Sequence, residues 1–342
     1  MHRDFPMPER LLESARAWLD SDPLLQGASG QRDVSQRPEP VPAKLSATVM
    51  LLRPGAQGPE VFVLRRATTM AFAADMLAFP GGGVDVRDAD PDVPWTGPGP
   101  HEWAERMRTS VDRARELVIA AAREVFEECG VLLAGPDARS VVRDLTAAVW
   151  DDERDSLLAR EQSFAELLIR RNLVLRTDLL GLRAHWITPE AEPKRFDTQF
   201  FVARLPEGQV ADDRSSEASR VHWAAPRTLL AEHDRGEHIM LPPTRVMIEQ
   251  LARAEDLEEA LAPAGEVVPV MPWPAEHSGE IWMRAPIDEL GHGLPPGSAL
   301  DIPPTGEDAK DDTPTDGGPQ DETSTGGGPQ ADTSITGDGR IP

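Results

Sequence analysis

The chain has 342 residues, 39% of them hydrophobic, a single cysteine and a formal net charge of -24. That length and apolar content suffice for one large domain or two small ones, while the acidic excess argues against a nucleic-acid-binding surface, which needs basic residues. Cys129 has no second cysteine to pair with, so we expect no disulfide and no structural zinc site. No apolar run approaches the roughly 20 residues of a membrane helix. We therefore expect a cytoplasmic protein that contacts neither nucleic acid nor membrane.

The N-terminal stretch PERLLESARAWLDSD predicts a short amphipathic helix, and the Gly- and Pro-rich residues 27–42 are typical of a linker. We assign both to an N-terminal region, residues 1–43. Residues 44–53 and 60–67 are rich in β-branched and aliphatic side chains and flank the turn-forming PGAQGP, so they predict a strand pair. MLAFPGGG then predicts a short strand that runs into a glycine turn.

Residues 86–115 show no sustained hydrophobic period and form a predicted insertion, with a helical turn around residues 101–112. From residue 115 to residue 130 the apolar positions recur at spacings of three and four, which predicts a helix. Gly130 supplies its C-terminal stop. The apolar face of this helix consists of Ile119, Ala122, Phe126 and Cys129.

Further along the chain, helices predicted at residues 137–150 and 161–170 form a second insertion, residues 137–175. The pattern then predicts three strands and two closing helices: strands at 182–189, 196–206 and 219–226, helices at 226–235 and 243–261. Strands, a central helix and closing helices indicate an α+β layered domain.

We place this domain at residues 44–262 and treat residues 263–300 as a C-terminal extension. Residues 301–342 consist mainly of Pro, Gly, Thr and Asp. They predict a disordered acidic tail, because such a composition cannot bury enough apolar surface to offset the entropy of ordering.

Three glutamates of the predicted helix, Glu124, Glu127 and Glu128, lie at i, i+3 and i+4, so their side chains project from one face. Helical spacing alone favours a solvated acidic face. The alternative is a set of hard oxygen ligands for Mg²⁺ or Mn²⁺, placed beside a substrate phosphate. The segment before the helix decides between the two.

AFPGGGVD (residues 78–85) and REVFEECGV (residues 123–131) together resemble the signature of the Nudix hydrolase family. This signature, the Nudix box, begins with Gly, five variable residues, Glu and seven variable residues. It continues with Arg-Glu, an aliphatic residue, any residue, Glu-Glu, any residue, Gly and a final aliphatic residue. The second half matches, with Phe126 at the variable position. Gly82 serves as the box glycine, but the span from it is about 27 residues longer than the uninterrupted box, with the extra residues placed between Asp85 and the helix.

The first box Glu has no assigned counterpart. Glu116 is one residue off the required spacing to Arg123, and Asp88 lies on the far side of the insertion. The interrupted box is similar to that of a Nudix subgroup that contains mammalian peroxisomal coenzyme A diphosphatases. RRATTMAFAADMLAFPGG (residues 65–82) keeps the spacing of the coenzyme A signature, with Ala71 in place of its Arg and Asp75 in place of its Gly.

Over roughly residues 44–255 the resemblance implies a Nudix α/β/α sandwich with a mixed sheet and hydrolysis of a nucleoside diphosphate linked to another moiety. The favoured substrate is coenzyme A or acyl-coenzyme A, a small-molecule diphosphate. The second insertion, residues 137–175, then forms part of a substrate lid. The alternative is a Nudix-fold binding or regulatory protein that senses a nucleotide without turnover, and the oligomeric state is left open, a homodimer included.

The same resemblance implies roles for named residues. The metal ligands for Mg²⁺ or Mn²⁺ are Glu124, Glu127 and Glu128, and the catalytic candidates are Glu124, Glu127 and Glu217, the last as an added ligand or general base. Arg123 pairs with a box carboxylate and holds it in place. Gly81, Gly82 and Gly83 form a tight loop under the helix, and Arg195 contacts a phosphate or is an ordinary surface arginine. Cys129 is a buried packing thiol rather than a nucleophile.

Overall fold

A mixed β-sheet of nine strands forms the centre of the structure. The computed structural model describes residues 2–21, 39–66, 76–212 and 218–295. Its strands are β1 Arg3–Pro6, β2 Lys44–Gly55, β3 Gly58–Arg66, β4 Met76–Ala78, β5 Gly81–Gly83, β6 Trp95–Thr96, β7 Ala134–Gly135, β8 Val174–Arg176, β9 Leu180–Ile187, β10 Phe196–Arg204, β11 Ala218–Ala224, β12 Ile239–Met240, β13 Pro269–Val270, β14 Trp273–His277 and β15 Glu280–Ala285. Its α-helices are α1 Leu12–Ser21, α2 Pro100–Met107, α3 Val111–Cys129, α4 Ala148–Leu158, α5 Phe164–Arg170, α6 Pro226–Asp234, α7 Pro242–Leu251 and α8 Leu257–Leu261.

The central sheet has the order β12-β4-β3-β2-β10-β9-β13, with β5 paired to β2 and β11 paired to β3. Strands β2 and β10 run parallel, from Lys44 opposite Phe196 to Leu52 opposite Arg204. Strands β2 and β3 form the predicted hairpin, which closes with Gly55 opposite Gly58. Gly58 has a φ of 112°, a conformation that favours glycine. The predicted mixed sheet is therefore confirmed.

The two faces of the sheet carry separate helical layers because side chains alternate along each strand. On β2, Ala47, Val49 and Leu51 pack with α2 and α3 in one core cluster. Met50 and Leu52 point the other way and pack with α6 and α7 in a second cluster. Each fully buried aliphatic side chain of this kind contributes roughly 1.5–3 kcal/mol. The predicted α/β/α sandwich and the α+β class are confirmed.

A second, three-stranded sheet of order β1-β15-β14 joins the two ends of the described chain. Its β1 and β15 are antiparallel, and Phe5 and Met283 belong to the second core cluster. Arg3 also pairs with Glu249 of α7. Strand β13 adds to the central sheet beside β9, so part of the predicted C-terminal extension completes that sheet.

The predicted helix at residues 137–150 is wrong over most of its length, since α4 begins only at Ala148. The reason is local. Asp137 accepts hydrogen bonds from the backbone of Arg139 and Ser140, and Asp144 accepts one from Thr146. Such side-chain turns compete with helical backbone hydrogen bonds.

The predicted helix at residues 243–261 is two helices, α7 and α8. Asp256 begins the second one as its N-cap, accepting a hydrogen bond from the backbone of Glu259. Most of the predicted linker and the whole of the predicted tail, residues 301–342, lie outside the described residues. None of the helices in the described ranges is long and apolar enough to cross a membrane.

Candidate active site

Helix α3 carries the three glutamates and is held at both ends. Ser110 caps its N-terminus by accepting a hydrogen bond from the Arg113 backbone. Gly130 ends it with a φ of 68°, and its N–H reaches the carbonyl of Phe126. A helix fixed in this way presents its side chains on a rigid support.

The glutamates of α3 are buried rather than solvated. Glu124, Glu127 and Glu128 are 9%, 8% and 5% exposed. Carboxylates removed from water need cations or hydrogen-bond donors. The alternative of a solvated acidic face, which helical spacing alone favoured, is therefore wrong.

Arg123 is the centre of the charged cluster. Its Nε and Nη2 donate to the two carboxylate oxygens of Asp88 at 2.9 and 3.0 Å. Its Nη1 donates to Glu124 Oε1 at 2.8 Å and to Glu127 Oε2 at 3.0 Å. The Nη2 also donates to the carbonyl of Gly83 at 3.0 Å. The guanidinium thus fixes carboxylates on both halves of the interrupted motif, as planar bidentate pairing allows.

Asp88 is the site residue that the sequence interpretation left unassigned. It lies in a short 3₁₀ turn, Val86–Ala89, where its carboxylate accepts a hydrogen bond from the backbone of Asp85. The signal that locates it is the spacing, because five residues separate Gly82 from Asp88, as between the box Gly and Glu. This spacing puts the extra residues after Asp88, which narrows the predicted position of the insertion between Asp85 and the helix.

The three glycines form strand β5, where we expected a tight loop. The backbone N–H of Gly81 donates to Glu128 Oε2 at 2.8 Å. A Cβ at Gly82 would lie 2.5 Å from Glu124 Oε1, and one at Gly81 would lie 2.3 Å from the Ala47 carbonyl. Because these positions lack side chains, β5 lies close to α3 at Gly82 and close to β2 at Gly81.

Negative charge is in excess around Arg123. Burial raises the pKa of Glu124 to about 7, against the opposing attraction of the Arg123 guanidinium. Burial likewise raises the pKa of Glu127. One arginine faces three carboxylates within hydrogen-bond distance, so the cluster favours an additional cation.

The oxygen donors fit a hard divalent cation in chemistry. Glu124 Oε1 and Glu127 Oε2 approach the same nitrogen of Arg123. As the side chains stand, no group of three or more His, Cys, Asp or Glu residues in the described ranges could hold a metal ion. In this arrangement Arg123 orients the carboxylates of Glu124 and Glu127.

A cavity of about 760 Å³ adjoins this cluster. Its wall includes the glycine strand together with Arg123, Glu124 and Glu127. Basic residues Lys44, Arg87 and Arg160 also line it, beside apolar groups from both ends of the described chain such as Leu11 and Met283. A space of this size suits a small organic ligand with a charged end.

Arg154 of α4 ties the second insertion to α3, a contact with no sequence signal. It is almost fully buried, and its Nε donates to the Glu127 carbonyl at 2.7 Å. Its Nη1 donates to Asp212 Oδ1 at 2.6 Å, 58 positions away. Leu157 and Leu158 of the same helix line the cavity. The insertion therefore borders the cavity, while its role as a lid stays a prediction.

The remaining predicted residues lie elsewhere. Arg195 donates to the carbonyls of Thr188 and Val41 and is absent from the cavity wall. Its predicted phosphate contact stays a prediction without support from this geometry. Glu217 lies outside the described residues. Cys129 is fully buried, and burial raises the pKa of its thiol, in agreement with a packing role.

The sandwich, the glycine strand and the arginine-centred carboxylates define a Nudix-type fold and site. A family model described as NUDT19 Nudix domain matches residues 102–251. A solved NUDIX hydrolase from Alicyclobacillus acidocaldarius is similar with a TM-score of 0.56 and 26% identity, over 66% of this chain and 99% of that one. These matches support the resemblance to the Nudix hydrolase family that the motifs indicate.

Two curated relatives are similar over part of their length. "Putative nudix hydrolase 7" of Caenorhabditis elegans is 26% identical over 225 residues, which cover 64% of this chain and 65% of that protein. "Acyl-coenzyme A diphosphatase NUDT19" of Xenopus laevis is 25% identical over 217 residues, covering 54% of this chain and 57% of that protein. The chain thus spans less than two thirds of each relative.

Proposed function

We propose that the protein is a Mg²⁺- or Mn²⁺-dependent hydrolase that cleaves the diphosphate bond of a nucleoside diphosphate derivative. The observation that carries the proposal is the Arg123-centred carboxylate set facing the cavity. The favoured substrates are coenzyme A and acyl-coenzyme A, since one similar protein is named an acyl-coenzyme A diphosphatase. We further propose a cytoplasmic location.

Glu124, Glu127 and Glu128 would hold the metal ion, which supplies positive charge at the diphosphate oxygens and lowers the pKa of bound water. Arg123 orients Glu124 and Glu127 while Asp88 holds the guanidinium in place. The Gly81 N–H positions Glu128. These contacts keep the carboxylates in place before the substrate arrives, so reorganisation during the reaction costs little.

Cations on the cavity wall bind the phosphates in this proposal. Lys44 and Arg160 line the cavity together with the carboxylates. Arg87 is bound to Asp85, and that pairing holds the pKa of the Asp85 carboxyl below its usual range. Arg160 also contacts Asp85, at 3.7 Å, but its side chain is largely exposed, so Arg160 and Lys44 are the stronger candidates for phosphate oxygens.

We keep Glu217 as the candidate general base. Glu217 itself lies outside the described residues, so its role rests on the sequence alone.

The alternative of a binding or regulatory protein without turnover is motivated by an incomplete first half of the box. Asp88 stands at the spacing of the missing box Glu and contacts Arg123, which supports hydrolysis over the alternative. No other observation favours the alternative over hydrolysis.

The test is a substrate panel with product identification by mass spectrometry. Coenzyme A, acyl-coenzyme A, NADH, dinucleoside polyphosphates and nucleotide sugars are each incubated with Mg²⁺ and with Mn²⁺. We expect metal-dependent cleavage of at least one compound and its loss in the double variant Glu127→Gln/Glu128→Gln. Glu116→Gln, on the same helix but outside the cavity wall, is the matched control. Binding without cleavage under both metals overturns the proposal.

A further inference from the structure

The cavity extends well beyond the carboxylates, across three strand spacings of the sheet. Gly83 lies opposite Ser46, Ser46 lies opposite Thr198, and Thr198 lies opposite Trp186. Neighbouring strands are about 4.8 Å apart, so Trp186 lies about 14 Å from the glycine strand. All four residues line the cavity. A diphosphate bound at the glycine strand would leave the rest of its nucleotide at the Trp186 end.

The loop that follows Trp186 contains a buried carboxylate that the proposed chemistry does not use. Glu192, in the loop between β9 and β10, lines the cavity and is 7% exposed. Its Oε1 accepts a hydrogen bond from Ser14 Oγ at 3.0 Å. Within the described ranges no donor reaches its Oε2. Burial raises the pKa of Glu192, opposed by Ser14 and by the charge of Arg10.

Trp186 itself adds an apolar side chain and an unsatisfied donor. It is 3% exposed, and its indole Nε1 has no hydrogen-bond partner in the part of the chain that the structure describes. Buried polar groups are normally paired. The wall therefore combines a large aromatic side chain, a donor without an acceptor and an acceptor oxygen without a donor.

This combination suits a flat heterocycle that carries both donors and acceptors. Purine bases have an apolar face for contact with aromatic side chains and ring nitrogens that accept hydrogen bonds. Adenine and guanine also carry an exocyclic amino group, which can donate a hydrogen bond to a carboxylate oxygen. Hypoxanthine lacks that group, so the two kinds of base differ in what they offer Glu192.

We propose that the Trp186 end of the cavity binds an amino-bearing purine base, with Glu192 accepting a hydrogen bond from its exocyclic amino group. The inference rests on the proposed function only in taking the ligand to be a nucleotide derivative. It makes Glu192 a determinant of base specificity.

Binding of adenosine, guanosine and inosine 5′-monophosphates, measured by calorimetry with the full-length protein, tests the inference. These ligands have no diphosphate bond, so turnover does not interfere. We expect adenosine or guanosine monophosphate to bind about 10-fold more tightly than inosine monophosphate, the ratio that one hydrogen bond to a charged group supports. Glu192→Met should bring the ratio close to 1, and Glu192→Gln should give an intermediate value.

Glu190→Met is the matched control, since Glu190 lies in the same loop but not in the cavity wall, and it should keep the wild-type ratio. Equal affinity of the wild type for all three ligands, or an unchanged ratio in folded Glu192→Met, overturns the inference. If circular dichroism shows that Glu192→Met does not fold, Glu192→Gln is judged by the same criterion. Base preference without hydrolysis contradicts the proposed function alone, whereas hydrolysis without base preference contradicts this inference alone.

Discussion

Arg123 and Asp88 form a two-point ion pair across 35 positions of the chain, and both side chains are buried. The pair joins the turn after the glycine strand to the carboxylate helix. It restores the connection between the halves of a motif that an insertion separates. That insertion is not a loose loop, because its Trp103 and Met107 lie in the core beside α3.

Replacing Asp88 should destabilise the fold. Asp88→Ala leaves the buried guanidinium without its bidentate partner, which costs about 3 kcal/mol in the free energy of unfolding. Urea unfolding measures the change. Asp92→Ala, an exposed position of the same insertion, is the control and should stay within about 0.5 kcal/mol of wild type. An Asp88 variant as stable as the control contradicts the structural role of the pair.

Gly82→Ala should reduce activity more than stability. The new Cβ would lie 2.5 Å from Glu124 Oε1, so the carboxylate must move. Displacement of about 1 Å at a reacting site costs on the order of 100-fold in rate. At Gly83 the nearest heavy atom to an added Cβ is the Leu45 carbonyl oxygen at 3.9 Å, which makes Gly83→Ala a matched control. Equal kcat values for the two variants would refute the close-approach argument.

Arg154→Ala should loosen the second insertion from α3. The change removes hydrogen bonds to the Glu127 carbonyl and to Asp212, and we expect a loss of about 2 kcal/mol in unfolding free energy. Hydrogen exchange should rise in α4 and at the end of α3. Arg139→Ala, at an exposed position of the same insertion, should change neither quantity. Unaltered exchange in α4 would show that Arg154 does not hold the insertion.

Cys129 should be inert in the folded protein. Its thiol is fully buried, and burial raises its pKa, so little thiolate is available at pH 8. We expect no reaction with a chromogenic disulfide reagent under native conditions and one thiol per chain after unfolding in guanidinium. Rapid labelling of the native protein would contradict the packing role and reopen the question of a nucleophile.

The parts of the fold that could be predicted are those that local sequence patterns determine. The periodicity of α3 and the residue types of β2, β9 and β10 located these elements to within a few residues. The helix predicted at residues 137–150 was wrong over most of its length, because the side chains of Asp137 and Asp144 form local turns there. Asp88 could have been predicted as a site residue, because the five residues between it and Gly82 match the spacing of the Nudix box.

Other site features depend on contacts between distant segments. Ser14 and Glu192 are 178 positions apart, and Arg154 and Asp212 are 58 apart. Nothing in either local sequence marks such a pair. The cavity wall is likewise built from both ends of the described chain, including Leu11 and Met283.

The most direct test of the account is hydrolysis in ¹⁸O-labelled water. The panel compound that the wild-type protein cleaves fastest is incubated with Mg²⁺ in the labelled water, and the masses of the products are measured by mass spectrometry. We predict one ¹⁸O atom in a single phosphate-bearing product for the wild type, and no product above background for Glu127→Gln. Unlabelled products, full activity of Glu127→Gln, or no cleavage of any diphosphate compound would contradict the account.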